Sequence, residues 1–131
     1  MDSIIEKNRK NMEIIAKSDN DYPVLMINQN RYLKGEFPNG DLYLKWRSVN
    51  KKMISEVKGE VIWSLKVEAP YLINGNLEPL DEILAFWYPS HKAFLSMINS
   101  SHRKDNFELR KKLIVYAVIH RCDGRNVPQI E

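Results

Sequence analysis

The sequence predicts an α+β domain: an antiparallel four-stranded sheet in the chain order β-α-β-β-α-β, preceded by an extra N-terminal helix. Three observations carry this. Leu42, Trp46, Val49, Met53 and Val57 recur at three- and four-residue steps, the period of a helix with one buried face. Val61, Trp63, Leu65 and Val67 alternate with Ile62, Ser64, Lys66 and Glu68, the period of a strand. The runs Val24–Ile27, Ile83–Tyr88 and Leu113–His120 are compact, apolar and bounded by Pro, Gly, Asn or Asp, as strands are.

Taken in order, residues 3–17 place Ile4, Ile5, Met12 and Ile15 at loosely helical spacing, and Ser18-Asp-Asn-Asp21 ends the pattern. This is an appended helix with a linker, residues 1–22. The main domain follows over 23–124, with a tail at 125–131. Its first strand spans about 24–32. Gly35 to Gly40 is a loop, and Asp41 opens the helix that ends before Gly59. The second strand spans about 61–68. Two prolines and Asn74-Gly-Asn76 make a long hairpin connection to the third strand, which Pro89 stops. Ser90 caps a helix carrying Ala93, Phe94, Met97 and Ile98. Asn99-Ser-Ser-His102 interrupts it, and helical spacing resumes with Phe107, Arg110 and Lys111. The last strand is read as 113–120.

This order is the split βαβ, or ferredoxin-like, arrangement, with strands expected in the spatial order fourth, first, third, second and both helical segments on one face. The other face would then expose Leu25, Ile27, Ile83, Ala85, Trp87, Ala117 and Ile119, more apolar surface than a monomer tolerates. A twofold homodimer with two sheets packed face to face is the economical solution.

With 131 residues the chain is long enough for one real core and too short for a second domain of that kind. The lone cysteine, Cys122, excludes an internal disulfide or a dithiol site. The first ten residues carry charges where a signal peptide needs an apolar stretch, and no run approaches a membrane span, so a cytoplasmic protein without membrane contact is expected. Twenty Lys+Arg against 17 Asp+Glu give a net charge of +3, with both signs interleaved in runs such as 102–112. Solvated helix faces explain these runs better than a nucleic-acid surface. An RNA-recognition module shares the strand order but needs exposed aromatics on its first and third strands and a basic-Gly-aromatic opening. Here those strands begin Leu25-Met-Ile and Leu80-Asp-Glu-Ile, so no nucleic-acid partner is expected. The five glycines never form a phosphate-binding loop, and no histidine pair has ligand spacing. No cofactor and no metal are expected.

Four motifs add a resemblance: Asn28-Gln-Asn-Arg-Tyr32, Trp87-Tyr-Pro-Ser-His91, Asn106-Phe-Glu-Leu-Arg110 and Ala117-Val-Ile-His-Arg-Cys122. Over residues 23–124 the chain resembles a bacterial family of small uncharacterised proteins in the dimeric α+β barrel superfamily. That superfamily also holds the cofactor-independent antibiotic-biosynthesis monooxygenases. The resemblance implies a homodimeric barrel with a ligand pocket between sheet and helices in each subunit, and no defined activity. The N-terminal twenty residues depart from the family pattern.

Pairing Met26 with His120 and Asn30 with Tyr116 would gather Asn28, Asn30, Tyr116, His120, Phe86, Tyr88 and Trp63 on one face, aromatic walls with convergent polar groups. A one-residue error would swap the faces. His91, in the first turn after Ser90, is read as a base or an exposed first-turn residue, and His120 as a second base or a satisfied core histidine. His102 reads as a loop residue and Cys122 as structural. Arg31, Arg110 and Arg121 could each grip a carboxylate or enolate, or make ordinary pairs with Glu82, Glu108 or Asp123. The leading expectation is a homodimer acting on an acidic or carbonyl-bearing ligand. His91 or His120 would move a proton, Arg31 or another arginine would hold the anion, and Asn28, Asn30, Trp63, Tyr88, Tyr116 and Arg110 would line the site. Loss of the His91 ring is expected to abolish turnover while leaving the fold intact. The alternative is a non-catalytic ligand-binding or stress-response dimer using the same pocket. The sequence leaves open which of the two it is.

Overall fold

We describe residues 2–127 of a computed structural model, Asp2 by its backbone alone; the last four residues of the expected tail, 128–131, lie outside the description. The elements are α1 (Asp2–Lys17), β1 (Val24–Tyr32), α2 (Asp41–Glu56), β2 (Glu60–Lys66), β3 (Glu82–Tyr88), α3 (His91–Leu95), a 3₁₀ turn (Ser96–Asn99), α4 (Arg103–Leu113) and β4 (Ile114–Asp123). The four strands form one sheet in the order β2-β3-β1-β4, every neighbouring pair antiparallel. Those are the neighbours expected from the sequence.

One sheet face carries the core. Val24, Met26 and Tyr32 of β1 and Leu84, Phe86 and Tyr88 of β3 pack against Met12 of α1, Tyr43, Trp46 and Ile54 of α2, and Leu113 at the end of α4. All helices therefore lie on this face. The aromatics interlock edge-on, with Tyr32 and Tyr43 centroids 5.1 Å apart and Phe37 and Tyr43 also 5.1 Å apart. A buried amide pair, Asn106 Nδ2 donating to Asn50 Oδ1 at 3.1 Å, ties α4 to α2.

Local chemistry sets the boundaries. Lys58 takes a left-handed φ of 63° after α2, and the Gly59 N–H returns to Ile54 O at 2.9 Å. A Cβ on Gly59 would lie 2.8 Å from Ile54 Cγ2 and 2.9 Å from Trp87 O, so only glycine lets the chain pass between helix and sheet there. Ser90 caps α3, its Oγ accepting from Ala93 N at 2.9 Å.

The register of β4 corrects the expectation. Ile27, not Met26, stands across from His120, and Arg31, not Asn30, across from Tyr116. Helix α4 continues through Leu113, which is fully buried, so the strand begins one residue later than expected. Ala117, Ile119 and Arg121 therefore share the helix-covered face with Asn28 and Asn30, and Tyr116, Val118, His120 and Cys122 share the outer face with Ile27 and Arg31. Trp63 also moves. An irregularity between Val61 and Trp63 shifts the β2 register, and Trp63 pairs with Ala85 on the outer face.

Candidate functional site

Three polar clusters are built on the helix-covered side of the sheet, and they differ in whether their groups are paired. The first surrounds Glu82, the opening residue of β3, which is 3% exposed. The alternation Glu82, Leu84, Phe86, Tyr88 places its carboxylate among core side chains. It accepts from Tyr32 Oη at 2.6 Å, from Tyr43 Oη at 2.9 Å and from Arg47 Nη1 at 3.2 Å. Burial raises the Tyr43 phenol to about 12, the carboxylate adding to the rise and Arg47 opposing it. Burial likewise pushes the Tyr32 phenol up, with Glu82 helping. Asn30, with no exposed surface, donates from Nδ2 to Tyr32 Oη at 3.2 Å, and its Oδ1 meets no donor among the described residues.

The second cluster fixes α1 and its linker to the rest of the domain. Asp21 caps α3 from outside, its carboxylate accepting from His91 N at 2.9 Å and Lys92 N at 3.1 Å. The His91 ring is wholly buried, and its Nδ1 lies 3.0 Å from both Asp21 Oδ1 and Tyr22 O. Two acceptors at Nδ1 place the proton there, so Nε2 is free to accept from Arg121 Nη1 at 3.4 Å. Arg121 Nε donates in turn to Asn8 Oδ1 of α1 at 2.7 Å. Burial pushes the Asp21 carboxyl up, but the hydrogen bonds from His91 N, Lys92 N, the His91 ring and Tyr22 N outweigh it and hold the carboxyl below the usual range.

The third centres on Arg110 of α4. The side chain is half-buried, and burial pulls its pKa down, with Tyr32 opposing. Among the described residues it makes no hydrogen bond and no ion pair. It stands in the wall of a groove of about 610 Å³ where α1, α2, α3, the 3₁₀ turn and α4 meet. The groove surface is mainly apolar, from Met53, Phe94, Met97 and Phe107 among others, with Arg9, Arg103 and Glu13 also in its wall. A smaller depression of about 300 Å³ on the other side of Arg110 reaches Ala117, the cross-strand partner of Asn30. A half-buried guanidinium with free donors and an apolar wall beside it suits an anionic ligand.

The residues expected to form one site are therefore divided between two faces. Asn28, Asn30, Tyr88, His91 and Arg110 lie on the helix side, where Asn28 is 2% and Tyr88 2% exposed. Burial pushes the Tyr88 phenol up, and its ring packs edge-on against Phe94 at 5.0 Å. Arg31, Trp63, Tyr116 and His120 lie on the outer face. There Arg31 sits 5.6 Å from the Tyr116 ring centroid and donates to Pro79 O at 3.3 Å, while His120 is exposed at the sheet edge. The pairs weighed for the arginines also differ: Glu82 holds Arg47, and Asp123 holds Arg125.

Sequence reasoning missed Glu82, Tyr32, Tyr43 and Arg47 as a unit, and Asp21 with Asn8. The alternation of β3 carries the signal for Glu82, since it places that carboxylate on the same face as Leu84 and Phe86. Among the described residues, no group of three His, Cys, Asp or Glu side chains is placed to hold a metal, and no helix is long and apolar enough to cross a membrane.

No protein-family profile matches this sequence, and no curated protein does. Solved structures do resemble it. The crystal structure of the RPA0582 protein of unknown function from Rhodopseudomonas palustris superposes with a TM-score of 0.72 at 20% identity, over 94% of this chain and 95% of that one. The methylated RPA0582 protein gives 0.70 at 20% identity, over 90% of each chain. The α+β fold is thus one found in an uncharacterised bacterial protein.

Proposed function

We propose that the protein is a homodimeric, ferredoxin-like α+β barrel protein, working in the cytoplasm, that binds an acidic or carbonyl-bearing small molecule at Arg110 without a metal or organic cofactor. The observation that carries the reading is a half-buried guanidinium that makes no hydrogen bond or ion pair among the described residues and stands in the wall of a groove of ligand size. Support for the dimer comes from the outer sheet face, where Ile27, Ile83, Trp87 and Val118 are half-buried and Leu65 is 43% exposed. The β2–β3 connection also exposes Tyr71, Leu72, Ile73 and Leu77.

Binding without turnover is favoured over proton transfer by His91 or His120. His91 is spent on Asp21, Tyr22 and Arg121, and His120 is on the opposite face of the sheet. A catalytic reading keeps one specific support: Glu13 is the one carboxylate among the described residues of the groove wall, the residue type a base would need. A thermal-shift panel of small carboxylic acids tests the main reading. At about one hundred times Kd an acid should stabilise the wild type by roughly 2.7 kcal/mol, and Arg110→Met should remove the effect. Equal stabilisation of both proteins would refute it. Sedimentation at micromolar concentration reads the dimer, and a monomer there refutes that part.

A further inference from the structure

We propose that the groove where the helices meet takes an amphipathic monocarboxylate, an unbranched acyl or arylalkyl acid, with α1 as one of its walls. The inference rests on the reading that Arg110 holds an acid and adds the ligand's body, its entry side and a purpose for the N-terminal helix. A carboxylate alone would need only the cation. The groove offers far more: about 610 Å³ faced by Met53, Phe94, Met97 and Phe107, with Phe107 64% exposed. Two of those four are methionines, whose unbranched thioethers adapt to a chain of variable shape.

Charge orders the groove from outside inward. Arg9 of α1 and Arg103 of α4 are exposed, and neither is in an ion pair among the described residues. They draw an anion toward the opening, and Arg110, half-buried in the groove wall and without an ion pair among the described residues, takes the head group. Arg9 and Glu13 are one helical turn apart on α1 and both line the groove, while Met12 between them anchors the helix in the core. Anchored in this way, and by Asn8 on Arg121, α1 can hold a wall in place.

Calorimetry with the full chain tests this, using acetate, butanoate, hexanoate, octanoate and octylammonium below micelle-forming concentrations. Affinity should rise about three- to fourfold per added methylene, and octylammonium should not bind. Arg110→Met should abolish octanoate binding. Phe107→Asp and Arg9→Glu, both at exposed positions, should weaken it at least fivefold with the thermal midpoint unchanged. Acetate binding as tightly as octanoate overturns the amphipathic assignment. Loss in Arg110→Met with no effect of Phe107→Asp and Arg9→Glu leaves acid binding standing and overturns the groove and the role of α1. Unchanged octanoate binding in Arg110→Met overturns both.

Discussion

Arg121 and Arg110 lie on the same side of the same sheet, and their surroundings are opposite. Arg121 has Asn8 on one nitrogen and the His91 ring near another, and behind His91 stand Asp21 and the Tyr22 carbonyl. Each strong donor in that chain meets an acceptor. Arg110 is half-buried like Arg121 and makes no hydrogen bond among the described residues. A hydrogen-bonded cluster holds elements together, whereas a guanidinium without hydrogen bonds is free to take an outside acceptor. Residue type does not separate these two arginines; the inventory of partners does.

The sharpest way to break this comparison is at Glu82. Glu82→Ala strands the Tyr32 and Tyr43 hydroxyls and the Arg47 charge, with an expected loss of about 3 kcal/mol, read from the shift of a urea denaturation midpoint. A loss below about 1 kcal/mol would mean the network is ornamental. His91→Ala comes next at about 2 kcal/mol, since it opens a cavity and leaves Asp21 and Arg121 without their shared partner. A catalytic histidine would instead leave the fold intact when truncated, so the same melt decides between a catalytic role and a structural one. Arg110→Met should change the stability of the ligand-free protein by less than about 0.5 kcal/mol, because its guanidinium makes no hydrogen bond or ion pair among the described residues. Destabilisation of 1 kcal/mol or more, on the order of a lost paired group, would show that Arg110 is structurally paired after all.

Acidity gives the smallest effect. The Asp21 carboxyl is held below its ordinary value, so its contribution is present above the unfolded value near pH 4 and lost as pH falls through the folded one. Asp21→Asn should therefore flatten the acid limb of a stability profile below about pH 4. An unchanged limb would remove Asp21 from the clasp.

Much of the fold was legible. The strand at 24–32, the helix from Asp41 and the Ser90 cap rest on short-range signals that the packed structure does not override. The register of the last strand was not, for a physical reason: Ile114 to Ile119 is apolar at every position but Tyr116, itself an aromatic, so alternation does not announce which parity faces the helices. That choice is made by Leu113 entering the core and Arg121 reaching Asn8 and His91, contacts between residues far apart in sequence. Trp63 was misplaced for a similar reason, because one irregular residue in β2 reverses the face of every later position in that strand. The site was half legible. Arg110 stood among the expected ligand contacts, but nothing local tells that Arg47 takes Glu82 and leaves Arg110 without it.

The pairing of β1 with both β3 and β4 also governs how the chain is made. β1 emerges from the ribosome early and gains its β3 neighbour midway, while the neighbour on its other edge comes only from residues 114–123. Until then a central strand of the sheet offers bare amides and carbonyls to any passing strand, the condition that seeds misassembly between nascent chains. Pairing of such separated segments also slows folding. A chain stalled or cleaved before β4 should therefore be a substrate for chaperones and proteases rather than a smaller working protein.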